Sequence, residues 1–189
     1  CFALILVFIF FIFTQNQFLN YETISLDTPS YLVASQNVGF AELPLEKQWE
    51  SKGPLFMYLY NFLSFLGNDN LVYFKLLNDI LLFFVVFVLF YTILLNLRNN
   101  LNSFIGSLIF SSLLSYVWYH SEFSEIYCLL FISLHFYYVN KYELNTHNLF
   151  ISSLLLSFST LINQATFIFY ISYLFLVLRK KQRFLNYKE

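Results

Sequence analysis

Two ionisable residues, Asp27 and Lys52, lie at the ends of the long polar segment that interrupts an otherwise apolar chain. Each stands just before a proline, Pro29 or Pro54, and proline suits the first turn of a helix because its missing N–H would have no intrahelical partner there. The dipole of the following helix favours the ionised form of Asp27. A carboxylate can accept a proton from an attacking hydroxyl or hold a divalent cation. We interpret Asp27 as a candidate general base, with an ordinary solvated acid as the alternative.

Lys52 precedes a helix that we expect to begin at Pro54. An anion bound at such a helix start gains from the lysine and from the free N–H groups of the first turn. This arrangement suits a phosphate at a membrane surface. The alternative is a lysine whose charged end reaches the interface while its stem stays among apolar groups.

A second lysine, Lys75, lies inside an apolar run, with Asn78 and Asp79 three and four residues further along. At this spacing the three side chains share neighbouring faces of a helix. One interpretation is a Lys75–Asp79 pair close enough to the helix start for both groups to reach water. The other is a second contact to a lipid phosphate, because charges within a membrane require partners.

The segment 119–125 places His120 and two acids, Glu122 and Glu125, at one expected membrane face. Ser121 followed by acids is also the ordinary pattern of a helix start. One histidine with two carboxylates falls short of a specific metal-binding pattern. Coordination of a divalent metal ion is therefore an alternative to the ordinary helix start and not the first interpretation. We treat Glu125 and Glu122 as possible site acids on the outer face.

Membrane helices are the elements that must position these residues. The chain has 189 residues, of which 59% are hydrophobic, 23% aromatic and 11% charged. This composition predicts an all-α, polytopic transmembrane protein rather than a soluble domain. The near-neutral charge gives no indication of a nucleic-acid partner. Cys1 and Cys128 lie in apolar runs and form neither a disulfide framework nor a metal-ligand spacing.

The apolar runs differ in length. The chain begins in a run to Phe13, which we interpret as a truncated transmembrane helix, with a signal-peptide core as the rival. Pro54–Leu66 rises only about 20 Å and is too short to cross a core of about 30 Å upright, whereas Leu149–Leu178 rises about 45 Å. That long run is either steeply tilted or broken, and Asn163 and Gln164 in its middle are the candidate position for a break. Three runs suit single crossings: Leu71–Leu97, Leu101–Tyr119 and Phe123–Val139.

The polar segment itself predicts a helix at the membrane surface. Thr28 suits its cap, Pro29 its first position and Gly39 its end. Tyr31 and Leu32 fall near one face, which gives a weak amphipathic stripe. We therefore expect an outer loop over residues 14–53 that contains one surface helix.

Charge predicts the orientation. The basic run at residues 179–183 favours the cytoplasmic side, and Asn16–Lys52, with five acids and two bases, favours the outside. Because these two segments lie on opposite sides, the number of membrane crossings between them must be odd. It is odd if Pro54–Leu66 does not cross and Leu149–Leu178 is a broken hairpin. The alternative is that both cross once, which would turn Glu122 and Glu125 to the cytoplasm. We prefer the first, which places Arg98 and Lys141 inside.

The order of these features resembles one enzyme family. An acid near a tyrosine, Asp27 and Tyr31, then a surface helix, then Lys52-Gly53-Pro54-Leu55 opening an apolar helix resemble the C-type (GT-C fold) membrane glycosyltransferases that use polyprenyl-phosphate sugars. The nearest branch is that of the aminoarabinose transferases and protein mannosyltransferases. Lys75 stands where the family often has an arginine, and Ser124-Glu125 resembles its Thr-Glu pair.

The chain also departs from the family at three positions. Thr28 follows Asp27 where the family usually has a glutamate, and Gly53 replaces the first proline of the lysine motif. Asn163-Gln164 stands where a lysine breaks the corresponding family segment. These departures bear on metal use and on the acceptor more than on the fold.

The resemblance implies a function. It implies transfer of a sugar from a polyprenyl-phosphate carrier to a lipid, glycan or protein acceptor on the outer face of a bacterial inner (plasma) membrane. Asp27 would be catalytic, and Lys52 and Lys75 would contact the lipid phosphate. Residues 1–189 would form a single partial domain, the N-terminal portion of a longer enzyme. A flippase of lipid-linked sugars and a non-catalytic membrane scaffold are the alternatives.

Overall fold

The computed structural model describes residues 2–14, 27–36, 52–67, 70–117, 124–143 and 145–186. Every regular element within these ranges is helical, which confirms the all-α prediction for this part of the chain. The elements are α1 (Phe2–Thr14), α2 (Asp27–Gln36), α3 (Pro54–Leu66), α4 (Leu71–Leu97), α5 (Asn100–Val117), α6 (Ser124–Lys141), α7 (Thr146–Ile162), a 3₁₀ turn (Gln164–Thr166) and α8 (Phe167–Asn186).

Helix α4 is the longest element and has the bounds that the sequence predicted, Leu71–Leu97. The Asn70 side chain caps its start by accepting from the Val72 N–H at 2.9 Å. Arg98 ends it in the left-handed conformation, φ 50°, with its N–H donating to the Leu94 carbonyl. Among the described helices, α4 is the one long and apolar enough by itself to cross a membrane.

The packing of α4, α5, α6 and α7 forms the body of the molecule, and α1 lies against α5. Helices α6 and α7 run antiparallel, because Cys128 contacts Ser159 near one end and Tyr138 contacts Asn148 near the other. Helices α4 and α6 run parallel, with Tyr127 donating to the Asn78 side chain near both starts.

The break predicted at Asn163 is confirmed. Asn163 has an extended backbone, φ −144° and ψ 118°, and its side chain accepts from the Ala165 N–H at 3.0 Å. Helix α8 then folds back along α7, since the Tyr170 hydroxyl donates to the Ser153 carbonyl at 2.6 Å. Residues 146–186 are therefore a helical hairpin with its tip at the break.

Helix α3 lies across the starts of α4 and α6 instead of running along the bundle. Its Tyr60 ring is 4.8 Å from Phe74 of α4 and 6.1 Å from Tyr127 of α6. Gly67 is its C-cap. The helix stays near one end of the molecule over its described length; that it does not cross a membrane stays a prediction.

Helix α2 begins at Asp27, two residues before the predicted start at Pro29. The earlier start is compatible with proline because Pro29 still lies in the first turn, where N–H groups have no intrahelical partners. Tyr31 and Ser35 are buried, and the Tyr31 ring is 5.1 Å from that of Phe56 in α3. Its buried face is thus set by contact with α3. The predicted end at Gly39 lies outside the described residues.

Apolar residues lie outside and small polar residues inside over much of the bundle. Phe150, Ile168 and Phe175 are each more than 60% exposed. The buried serines include Ser103, Ser107, Ser111, Ser152 and Ser159. Large apolar residues such as Phe56 and Leu82 are buried as well, so it is the exposed apolar side chains that differ from a domain surrounded by water.

Candidate functional site

The candidate site lies where three helix ends meet. Lys52 immediately precedes α3, Glu125 lies in the first turn of α6, and Asn163 follows the last turn of α7. The antiparallel packing of α6 on α7 brings the last two to the same end of the bundle. The start of α3 is joined to the end of α7 by the Gly53 N–H, which donates to the Ile162 carbonyl at 2.8 Å.

Gly53 permits this close approach of two backbones. A Cβ atom at this position would lie 1.9 Å from the Leu161 carbonyl oxygen, so a larger residue requires a backbone shift. A proline at this position would also lose the N–H that donates to Ile162. The glycine is therefore matched to the particular contact between α3 and α7.

Lys52 and Glu125 form an ion pair. The Lys52 Nζ lies 3.3 Å from the Glu125 Oε1, and the two side chains are 20% and 34% exposed. The Asn163 Nδ2 donates to the same oxygen at 3.2 Å, and the Ser124 hydroxyl donates to Oε2 at 3.0 Å. A partly exposed pair contributes only about 0–1 kcal/mol to stability, so its main effect is to hold the ammonium group in place.

The backbone at the start of α3 adds less to this site than the sequence predicted. Pro54 has no N–H, the Gly53 N–H donates to Ile162, and the Phe56 N–H donates to the Gly53 carbonyl at 3.1 Å. The expectation of free first-turn N–H groups is therefore wrong at these positions. Any anion that binds here must depend chiefly on the Lys52 ammonium group.

An apolar cavity of about 490 Å³ lies beside the ion pair. Glu125, Asn163 and Thr166 provide polar groups in its wall. The remaining lining residues are apolar or weakly polar: Phe110, Leu113, Leu114, Cys128, Leu129, Ile132, Ala165 and Phe169. The charged group in this wall is the Glu125 carboxylate, and the Lys52 ammonium group lies behind it as its ion-pair partner. Such a cavity suits a molecule that has an apolar chain and a polar head.

Lys75 lies inside the bundle. It is 1% exposed, and Asp79, one turn further along α4, is 3% exposed. The interpretation in which this pair reaches water is therefore wrong. Both residues engage in polar or electrostatic interactions. Between them, Asn78 accepts from the Tyr127 hydroxyl, which links this polar group to the first turn of α6 close to Glu125.

The other predicted site residues are described less fully. Asp27 is the first residue of α2, and the contact of Tyr31 with Phe56 fixes that helix against α3. The Asp27 side chain, together with Glu122 and His120, lies outside what the structure describes. Over the described residues, no group of three His, Cys, Asp or Glu side chains could hold a metal ion.

Asn163 is the site residue whose role the sequence did not predict. Its signal was its place in the middle of an overlong apolar run, which predicted a helix break. Its side-chain oxygen caps the 3₁₀ turn by accepting from the Ala165 N–H, and its side-chain nitrogen donates to Glu125. An asparagine at a break can thus serve both the backbone and the site.

Comparison with known proteins found no match among family models, curated proteins or solved structures.

Proposed function

We propose that the chain belongs to a polytopic membrane glycosyltransferase that takes a sugar from a polyprenyl-phosphate carrier. The observation that carries this proposal is the Lys52–Glu125–Asn163 cluster beside an apolar cavity of about 490 Å³. A polyprenyl phosphate has a long apolar chain and an anionic head, which match the cavity and the lysine. The proposal that a sugar is attached to this phosphate comes from the resemblance in motif order.

The distribution of residues supports several membrane crossings. Large apolar side chains cover the outward faces of α5, α7 and α8, whereas serines fill the contacts between helices. Within a membrane, small residues allow helix backbones to approach closely, and lipid covers apolar outer faces. Helices α5, α6, α7 and α8 would cross beside α4 as members of this bundle, whereas α2 and α3 would not cross.

The arrangement of helix ends supports the preferred orientation. The starts of α4 and α6 lie together with the tip of the α7–α8 hairpin, and α3 lies at the same end. Arg98 and Lys141 then fall at the opposite end, as does the basic run in the last turns of α8. Cations in short connecting segments favour the cytoplasm. In this orientation the Lys52–Glu125 pair faces the outside.

The proposed reaction begins with the donor phosphate bound to Lys52. Asp27 accepts the proton of an acceptor hydroxyl, the acceptor oxygen forms a bond to the anomeric carbon, and the bond from that carbon to the phosphate oxygen breaks. The released polyprenyl phosphate takes the electron pair, and Lys52 stabilises its developing charge. Lys75, buried near the start of α4, would favour negative charge at this end of the bundle. A divalent metal ion remains compatible with Asp27 but is not required by these steps.

Donor binding provides the first test. The chain, reconstituted in neutral lipid nanodiscs, is titrated with polyprenyl phosphate, comparing wild type with Lys52→Gln and Glu125→Gln. We expect Lys52→Gln to weaken binding at least about tenfold, because a hydrogen bond to a charged group contributes roughly 1.5–3 kcal/mol. Glu125→Gln should tighten binding a few-fold, because it removes the carboxylate that competes for the lysine while keeping an acceptor for Asn163.

The matched control is Lys141→Gln, which removes a cation from the other end of the bundle. Its polyprenyl phosphate affinity should equal that of wild type. Equal affinity in wild type and Lys52→Gln would contradict the donor site. Weaker binding in Glu125→Gln would contradict the assignment of Glu125 as a competing partner of the lysine.

A further inference from the structure

A second apolar groove, of about 260 Å³, lies between α4 and α6. It is lined by Phe84, Phe87, Val88, Tyr91, Leu134 and Tyr137. The Phe87 ring is 4.9 Å from that of Tyr91, so aromatic faces form much of the wall on α4. Phe84 is 44% exposed, which marks the side where the groove opens to the surroundings.

The groove lies away from the Lys52 cluster. Leu134 is nine residues along α6 from Glu125, a rise of about 14 Å. From there the groove continues towards the ends of α4 and α6 that carry Arg98 and Lys141. It is thus a separate feature in the other half of the bundle.

A cation is held at the far end of this groove. The Lys141 Nζ donates to the Tyr137 hydroxyl at 2.9 Å and lies 5.1 Å from the centre of the same ring. It also lies 5.3 Å from the Tyr142 ring. Tyr137 therefore provides both a wall of the groove and the support for the ammonium group. An ammonium group has three donors, so one bond to Tyr137 leaves others for a ligand.

The charges at this end favour an anion. Arg98 ends α4, and α4 runs parallel to α6, so both cations lie at the same end of the bundle. Glu143 is the acid nearest to Lys141 in the sequence, and its described contact is through its backbone carbonyl, which accepts from Asn148. All three residues are exposed.

We propose that this groove binds an acyl chain of an anionic phospholipid, whose phosphate contacts Lys141. The groove would hold the apolar chain, and the lysine complements the charged head. In the proposed orientation this end lies in the cytoplasmic leaflet, whose lipids carry the negative charge. This inference depends on the membrane embedding of the bundle and not on sugar transfer.

The test compares lipid binding to the purified chain by native mass spectrometry in a neutral detergent. Phosphatidylglycerol and phosphatidylcholine with identical acyl chains are added at equal concentration. We expect phosphatidylglycerol to bind more tightly. Lys141→Gln should weaken its binding roughly fivefold, as one cation near a membrane surface contributes about 1 kcal/mol. Lys141→Arg should retain the preference, because it keeps the positive charge at this end of the groove.

Two further variants test the groove itself. Leu134→Trp should weaken binding of both lipids because the larger ring fills the groove. Tyr137→Phe keeps the ring in the wall and removes only the hydroxyl to which Lys141 donates. Equal binding of the two lipids by wild type, or an unchanged preference in Lys141→Gln, would overturn the proposal. A disulfide between two copies carrying Phe84→Cys in membranes would also overturn it, because the groove would then face a second copy of the chain.

Discussion

At the scale of single residues, the site depends on a lysine whose position is fixed by groups distant in sequence. Glu125 pairs with the Lys52 ammonium group, Asn163 donates to Glu125, and Gly53 allows α3 to approach the end of α7. The sequence predicted Lys52 and Glu125 as separate candidates at one face. It could not predict their contact, because periodicity describes one helix at a time and not which helix ends meet.

Gly53 provides a prediction at this scale. Gly53→Ala should lower the thermal midpoint in detergent. The free energy of unfolding should fall by about 1–3 kcal/mol, because the added Cβ would overlap the Leu161 carbonyl oxygen. The shift of α3 should also weaken polyprenyl phosphate binding. Circular dichroism during heating measures the first effect and the nanodisc titration the second.

Gly106→Ala is the matched control. The Cβ at Gly106 would meet only the end of the Ile93 side chain, at 2.7 Å, and this side chain can rotate away. Alanine is also favoured over glycine inside a helix by about 0.5–1 kcal/mol. Equal losses of stability in the two variants would contradict the special role of the contact at Gly53.

At the scale of elements, the break after α7 connects the fold to the site. The overlong run 149–178 allowed the sequence to predict the break at Asn163, and the bounds of α4 were predicted in full. The start of α2 and the burial of Lys75 were not, because both depend on contacts between helices. The Tyr31–Phe56 contact holds α2 against α3, and Lys75 lies on α4, which packs against α6.

Asn163→Ala tests the two functions of this residue. The change removes a backbone cap, a loss of about 1 kcal/mol, and also removes the donor to Glu125. We expect a modest loss of thermal stability together with weaker polyprenyl phosphate binding.

Asn145→Ala provides the comparison, since Asn145 caps the start of α7 by accepting from the Asn148 N–H at 2.8 Å. It should cost a similar amount of stability and leave the affinity unchanged. Equal effects of the two changes on binding would show that Asn163 acts only through helix stability.

At the scale of the whole molecule, the account requires the site and the basic end to lie on opposite sides of a membrane. Composition predicted a polytopic membrane protein; among the described helices α4 is long and apolar enough to cross, and the polytopic arrangement stays a prediction. Orientation rests on the positive charges at one end. The rival orientation, in which both ambiguous runs cross once, would place Glu125 on the cytoplasmic side.

Labelling of single cysteines in intact cells distinguishes these orientations. In a background with Cys1 and Cys128 replaced by serine, Ala165→Cys at the hairpin tip should react with a membrane-impermeant maleimide. Asn145→Cys, between α6 and α7, should react only after the cells are permeabilised. None of the four substitutions changes the charge of the chain, so they do not bias insertion. The reverse labelling pattern would contradict the proposed orientation.

The central claim is tested most directly by sugar transfer. Membranes containing wild type or Asp27→Asn at matched expression are supplied with labelled polyprenyl-phosphate sugars, and both donor binding and transfer are measured. The account predicts transfer by wild type and a loss of about a hundredfold or more in Asp27→Asn with donor binding retained, since general bases contribute roughly 10²- to 10⁴-fold. Undiminished transfer in Asp27→Asn would contradict the catalytic assignment. Bound donor that is moved across the membrane but never transferred by wild type would instead identify a flippase.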